Sequence, residues 1–322
     1  MNREEIISLL GSDWTAFEST VRSKLHSGID ILDKVNDSLL ANSGKRLRPM
    51  LALLMAGAMG GSNQDSINYA AASELLHNAT LFHDDVADKS ATRRGKPTLA
   101  SLMGADKAVL IGDYWLSKAV ELVVATAHHN EVTPLYARTL SLLAEGEMLQ
   151  LQKAGTADTT EQDYLRIIYS KTASLFETTC HAAAIAVNAP SLMADAAALY
   201  GAATGMAFQI RDDIFDYGAS GDIGKPVGSD IKEGKITLPL LGVLRGSPEE
   251  ERIRGLVAGI ADHPEDSEQI RNFVLAGGGI EYATRRLNDY VNEALDALEA
   301  FPPSAHKDAL AELARFNAIR TV

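Results

Sequence analysis

The apolar positions of this chain fall at helical spacing along most of its length. In "FESTVRSKLHSGIDILDKVNDSLL", Phe17, Val21, Leu25, Ile29, Leu32 and Val35 recur at steps of three or four, the spacing of one helix face. Residues 66–88, 105–127, 133–153, 161–188, 191–217 and 281–300 repeat that pattern, and few segments alternate with the period of two that a half-buried strand needs. Abundant alanine favours helix as well. The punctuation agrees. Pro49 follows a basic cluster, Gly95 and Pro97 follow a run of aspartates, and "GTADTT" precedes Glu161. "GSPEE" offers Ser247 as a helix cap, Pro248 at the first helical position and acids in the first turn. The chain shows no low-complexity linker and no short repeat. The pattern predicts one all-α domain over residues 1–322, built from roughly ten or more helices.

Composition narrows the function. The chain has 322 residues, of which 46% are hydrophobic and 23% charged, enough for a sizeable core. A net charge of −13 argues against nonspecific nucleic-acid binding. A phosphate-bearing ligand would therefore need a local basic patch. The single cysteine, Cys180, excludes an internal disulfide and a zinc cluster, and its helical surroundings "FETTCHAAAIA" predict a buried, inert thiol. "MNREEIISLLGSDW" is charged from its third residue and does not read as a secretory signal. No stretch reaches the ~18 apolar residues of a membrane span. The expectation is a cytoplasmic protein that touches membranes peripherally at most.

One long-range echo carries chemistry. "HDDVAD" at 83–88 returns as "RDDIFD" at 211–216, each with aspartates at i, i+1 and i+4, each ending an apolar helical run. On a helix, i and i+4 share a face and lie about 6 Å apart along the axis. Asp84 with Asp88, and Asp212 with Asp216, can each aim at one point. Unpaired carboxylates so placed repel and raise one another's pKa. A hard divalent cation cancels that cost, and magnesium takes one or two carboxylates together with water and phosphate oxygens. One such motif reads equally well as a solvated helix end; two copies point to metal.

Bases answer the acids. "GKRLRP" places Lys45, Arg46 and Arg48 before a helix expected to open at Pro49, where a helix N-terminus already attracts anions. "RRGKP" follows the first acidic cluster and "GKPVGSDIKEGKITLP" the second, with Lys225, Lys232 and Lys235. Arginine forks and lysine point charges suit phosphate oxygens. Arg46 and Lys232 read as solvated or paired with nearby acids. Glycines at 218, 221, 224, 228 and 234 give the second loop the look of a lid. The chain lacks the GxxxxGK[ST] loop of a nucleoside triphosphatase. The acids are thus expected to hold magnesium, the magnesium a diphosphate, and the bases its remaining charge.

At these residues the chain resembles the trans-type (E-type) polyprenyl diphosphate synthases. The resemblance runs from about residue 40 to residue 322, leaving 1–39 as N-terminal helices. It rests on "GKRLRP", "ELLHNATLFHDDVADKSATRRGKPT", "EGEMLQL", "KTASLF", "FQIRDDIFD" and "GKPVGSDIKEGKITLPLL", all in the family's order. It implies an isoprenoid-synthase helical bundle around a deep central cavity, a homodimer, and head-to-tail condensation of an allylic diphosphate with isopentenyl diphosphate. Carried over by position, Asp84 and Asp88, with Asp85 assisting, would bind magnesium beneath the allylic diphosphate. Asp212 and Asp216, with Asp213 in support, would complete a site of three Mg2+ ions. Arg93, Lys171, Lys225 and Lys235 would grip the allylic diphosphate; Lys45, Arg48, His77 and Arg94 would bind isopentenyl diphosphate. Thr172 and Gln209 would turn their dipoles to the allylic cation. Ala87 and Lys89 depart mildly from the family's first motif, and Arg320 stands where relatives often carry a terminal basic residue. His128 and His129 read as surface residues.

Two other classes share features with this pattern. A class I terpene cyclase would ionise the same substrate but usually replaces the second motif with Asn, Ser or Thr and Glu. A noncatalytic subunit of a heteromeric synthase would usually show damaged aspartates. Here both motifs are intact. Product length is read from the helix that carries Asp84. Thr80 and Ala79, roughly 6 and 7.5 Å before Asp84 along the axis, are small where short-chain relatives often place aromatics, and Leu76 is the first bulky residue beyond. The expectation is a medium- to long-chain product of roughly seven to ten isoprene units, a shorter farnesyl- or geranylgeranyl-type product being the alternative.

Overall fold

The computed structural model describes residues 1–41, 44–93, 95–218 and 228–319, with side chains described through Phe316. Among them the chain forms α1 (Arg3–Leu25), α2 (Asp30–Ala41), α3 (Leu47–Ala58), α4 (Gln64–Ala87), α5 (Leu99–Met103), α6 (Ala105–Val124), α7 (His129–Thr156), α8 (Glu161–Ile168), α9 (Ser174–Ala186) and α10 (Ser191–Tyr217). There follow α11 (Ser229–Lys232), α12 (Leu238–Leu244), α13 (Glu250–Ala258), α14 (Asp266–Ala276), α15 (Gly279–Ala297) and α16 (Ala305–Ile319). The described strands are the two-residue pair β1 (Thr92–Arg93) and β2 (Lys96–Pro97), antiparallel, with Arg93 opposite Lys96. No described helix is long and apolar enough to cross a membrane.

The chain packs as two compact units. The first comprises Met1–Ala137, Glu177–Ala198 and Ala297–Leu313; the second comprises Arg138–Phe176, Leu199–Asp296 and Ala314–Val322.

In the first unit, α1 buries Ile6, Leu10, Trp14, Phe17, Val21 and Leu25, a stripe at steps of three and four. The stripe expected to run on through Ile29 stops at Leu25. Gly28 takes a left-handed φ of 76°, the chain turns, and Ile29 faces solvent. α4 packs against α6, α3 and α1. Its Asn63 cap accepts from Ser66 N at 2.9 Å, and Ser66 Oγ accepts from Asn63 N in return. Such a cap contributes about 1 kcal/mol. From Tyr69 to Leu76 every residue of α4 is buried. The hydroxyls in that stretch are therefore paired: Tyr69 with Thr126 at 2.6 Å, and Ser73 with both Tyr136 and Thr179 at 2.7 and 2.9 Å. Cys180, also of this unit, is fully buried, and burial pushes its thiol well above the usual cysteine range.

The second unit's core gathers Tyr164 and Ile168 of α8, Ile210, Ile214 and Tyr217 of α10, and apolar residues of α12 to α15. The run expected as one helix over 161–188 is interrupted. Residues Tyr169–Ala173 form a π-helical turn between α8 and α9. Such turns insert a residue into the helical ladder and cluster at functional sites. Two glycines let it sit close to its neighbours. A Cβ on Gly205 of α10 would meet Ala173 Cα at 2.5 Å, and one on Gly146 of α7 would meet Ser170 Cβ at 2.7 Å.

Two expected helix starts shift. α3 opens at Leu47, so Pro49 and Arg48 lie inside its first turn, with Arg46 at the cap in a left-handed conformation (φ 52°). α13 opens at Glu250. Gly246, at φ 74°, turns the chain first, so Ser247 and Pro248 belong to that turn and Ser247 Oγ accepts from Glu249 N at 3.2 Å.

Candidate active site

Both acidic clusters close long helices. Asp84 and Asp85 lie in the last turn of α4, and Asp88 caps it, donating its N–H to Asp84 O at 2.8 Å. Asp212, Asp213 and Asp216 lie in the last two turns of α10. A helix C-terminus carries a partial negative charge, so each carboxylate there is unfavourable by about 0.3–1 kcal/mol. Six acids at two such ends are not there for helix stability.

The members of each cluster differ. In the first unit Asp84 is half-buried and Asp88 exposed, while Asp85 is 4% exposed and accepts from Arg93 Nε at 2.7 Å. The β1–β2 pair thus holds Arg93 against the helix end. In the second unit Asp212 is half-buried. Asp216 is buried; its Oδ1 accepts from Ser229 N and Oγ at 3.0 and 2.7 Å, and its Oδ2 from Asp230 N at 2.9 Å. Asp213 is 4% exposed, with Tyr164 donating to Oδ2 at 2.6 Å and Gln209 Nε2 to Oδ1 at 2.9 Å. Burial, and then the charge of Asp230, pushes its carboxyl up, against the hydrogen bonds from Tyr164 and Gln209, which favour its ionised form. Among the described residues no three acidic, histidine or cysteine side chains converge on one point. A magnesium ion here would take one or two carboxylates of a helix end and complete its octahedron from water and phosphate oxygens, which is how that cation prefers to bind. The oxygen-only donor set fits it.

The other expected residues sort by unit. In the second, the π-helical turn presents Lys171 and Thr172 into a pocket of about 160 Å³, which Gln209, Asp213, Asp230, Lys153 and Lys235 also line. Lys171 is ion-paired with Glu147 of α7. Lys235 lies 2.5 Å from Glu233 and 4.0 Å from Asp230. Thr172 donates to Gln209 Oε1 at 2.8 Å. Three lysines stand at this pocket, each ion-paired with a carboxylate: Lys153 with Asp163, Lys171 with Glu147 and Lys235 with Glu233. In the first unit, Lys45 precedes α3 and is exposed, Arg48 is half-buried in its first turn, and His77 is half-buried on α4, its carbonyl accepting from Thr80 Oγ1 at 2.8 Å. Leu76 and Ala79 are buried. Arg46 pairs with Glu18 at 2.7 Å. Arg94, Lys225 and Arg320 lie outside the described residues. Sequence reasoning missed Tyr164, Glu147 and Asp230. Glu147 stood in the quoted "EGEMLQL", one residue after Gly146, without a role.

An all-α fold with two aspartate-rich helix ends fits a trans-prenyltransferase, and the comparisons with known proteins show that class. The chain belongs to the polyprenyl synthetase family, whose model matches residues 29–274. It is 34% identical to the octaprenyl diphosphate synthase of Escherichia coli over 316 residues, covering 98% of each chain. A decaprenyl diphosphate synthase structure from Rhodobacter capsulatus superposes with a TM-score of 0.93 at 33% identity, covering 99% of both chains. A short chain isoprenyl diphosphate synthase of Methanothermobacter thermautotrophicus is 36% identical over 292 residues, 89% of this chain and 90% of that one. Similarity therefore fixes the reaction class and spans several product lengths.

Proposed function

We propose that the chain condenses an allylic diphosphate with isopentenyl diphosphate, head to tail, into an all-trans polyprenyl diphosphate of roughly seven to ten isoprene units, with Asp84, Asp88, Asp212 and Asp216 as its magnesium ligands. The observation that carries the reading is the grouping of Lys171, Thr172 and Gln209 at one pocket in a chain that keeps both aspartate motifs.

Bound magnesium, three ions by the family's pattern, would supply electrostatic stabilisation of the departing diphosphate. The chain's residues do the rest. Lys171, Lys235 and Arg93 hold the allylic diphosphate as its C–O bond breaks; Lys45, Arg48 and His77 hold isopentenyl diphosphate. Thr172 and Gln209 turn oxygen dipoles to the allylic carbon as positive charge develops. The allylic carbon must be kept from water, which calls for an apolar cavity for the prenyl chain. The isopentenyl double bond forms the new C–C bond, and the proton then lost passes to the released diphosphate. No dedicated histidine is required.

Product length rests on α4. Ala79 is small and fully buried, Leu76 stands about one turn before it on α4, and Ser73, about a turn further back, is hydrogen-bonded to Tyr136 and Thr179. A shorter product is the second reading, favoured by the short-chain relative. A homodimer is part of the proposal, and it has a surface to use: α6 turns Val109, Leu110, Val120 and Val124 to solvent. The test is the purified chain with magnesium, farnesyl diphosphate and isopentenyl diphosphate. A linear elongated diphosphate supports the proposal; a cyclic hydrocarbon, or no turnover, overturns it.

A further inference from the structure

One buried hydroxyl at the pocket has no role in the scheme above. Tyr164, on α8, is 3% exposed and donates to Asp213 Oδ2 at 2.6 Å. Asp213 receives Gln209 Nε2 on its other oxygen at 2.9 Å, and Gln209 Oε1 in turn accepts from Thr172 Oγ1 at 2.8 Å. The four groups form one directed chain. Asp213 claims the amide N–H, so Gln209 must turn its carbonyl to the other side; a flipped amide would set two acceptors face to face. Thr172 has a single proton and spends it on that carbonyl. What its oxygen can offer the pocket is lone pairs alone. That is the polarity a developing carbocation needs and the polarity that would repel an anion.

We propose that Tyr164 is a positioning residue: by pinning Asp213 it fixes the orientation of the Gln209 amide, and through it the direction of the Thr172 hydroxyl. The proposal rests on the allylic role assigned to Thr172 and Gln209. Tyr164 is hydrogen-bonded to Asp213, and it acts on Gln209 through that carboxylate. Without its hydroxyl, a buried carboxylate oxygen lacks its donor, a state costly enough to make Asp213 rotate towards another partner. Gln209 then loses the contact that selects one amide orientation over the other.

Two measurements test this, one of them independent of turnover. With 15N-glutamine labelling, the side-chain amide signal that disappears in Gln209→Met is that of Gln209. Tyr164→Phe should shift or split it; an unchanged signal overturns the proposal whether or not the chain turns over. In steady-state assays with farnesyl and isopentenyl diphosphates, Tyr164→Phe should lower kcat about tenfold, the scale of one hydrogen bond to a charged group. Both KM values should stay within about twofold, because the phosphate-binding residues are untouched. In a Gln209→Met background the same change should alter kcat by less than about twofold, since coupled groups are not additive. Additive losses, or a loss confined to KM, overturn the proposal. Asp213→Asn, whose single carbonyl can satisfy only one of the two donors, serves if Tyr164→Phe fails to fold, and is read through the Gln209 amide signal, because a kcat loss there would also follow from the support Asp213 gives the metal site; an unchanged signal overturns the proposal. A wild-type chain without prenyl transfer, yet with a Gln209 signal that responds to Tyr164→Phe, would remove the proposed function and leave the orienting chain standing.

Discussion

Replacing Gly205 with alanine sets two opposed effects against each other. Alanine is the better helix former by about 1 kcal/mol, so in the interior of α10 the change should stabilise. The added methyl, however, would lie 2.5 Å from Ala173 Cα and 2.9 Å from Ala173 Cβ. Ordinary carbon contacts begin near 3.5 Å, so about 1 Å must be recovered. The nearest obstacle is backbone, which cannot rotate away, so the π-helical turn itself must move. Overpacking of this kind costs about 1–3 kcal/mol, which matches or exceeds the propensity gain. The turn bears Lys171 and Thr172, and displacement of a reacting group by 1 Å can cost about 100-fold in rate. Gly205→Ala should therefore lower Tm slightly and kcat by about 10- to 100-fold. Gly255→Ala in α13 is the control: nothing lies within 4 Å of its added Cβ, so Tm should rise and kcat hold. Thermal melts and steady-state kinetics on the two variants decide. Wild-type kcat with a raised Tm in Gly205→Ala would refute the close-packing argument.

The remaining outcomes concern the proposed ligands. Asp84→Ala or Asp212→Ala should cut turnover about 100-fold or more while the melting curve holds or improves, because an acid leaves the negative end of a helix; near-normal turnover in both would falsify the two-cluster mechanism. Arg48→Ala should raise the KM for isopentenyl diphosphate about tenfold with little change in kcat, and a change confined to the allylic substrate's KM would reverse the assignment of the two diphosphates. Ala79→Tyr should shorten the product to about three or four isoprene units, the ring standing one turn below Asp84. Chromatography of the dephosphorylated products checks it. A wild-type product of three or four units, unmoved by the substitution, would mean α4 is not the ruler.

Most helices were legible because their faces repeat every three or four residues, and the pair of aspartate motifs stood out because the same i, i+1, i+4 spacing occurs twice, each time at the end of an apolar run. What was not legible depends on events that leave no mark on periodicity. The π-helical turn at Tyr169–Ala173 changes the helical register locally while its apolar residues keep plausible spacing. Tyr164 meets Asp213 across 49 positions of chain. Its hydroxyl is invisible until the fold supplies the partner. The start of α13 was misjudged at Ser247 and Pro248, residues with good capping chemistry, because Gly246 spends them on a turn instead.

The burial of Cys180 also has a practical consequence. The chain's single sulfhydryl is sealed in the first unit and held in its unreactive protonated form. Any cysteine engineered onto the surface becomes the one thiol open to a maleimide or a nitroxide, with no background site to delete first. Spin-label pairs or fluorophores can thus be written into the native sequence wherever a distance is wanted, including beside the two aspartate motifs while substrate binds.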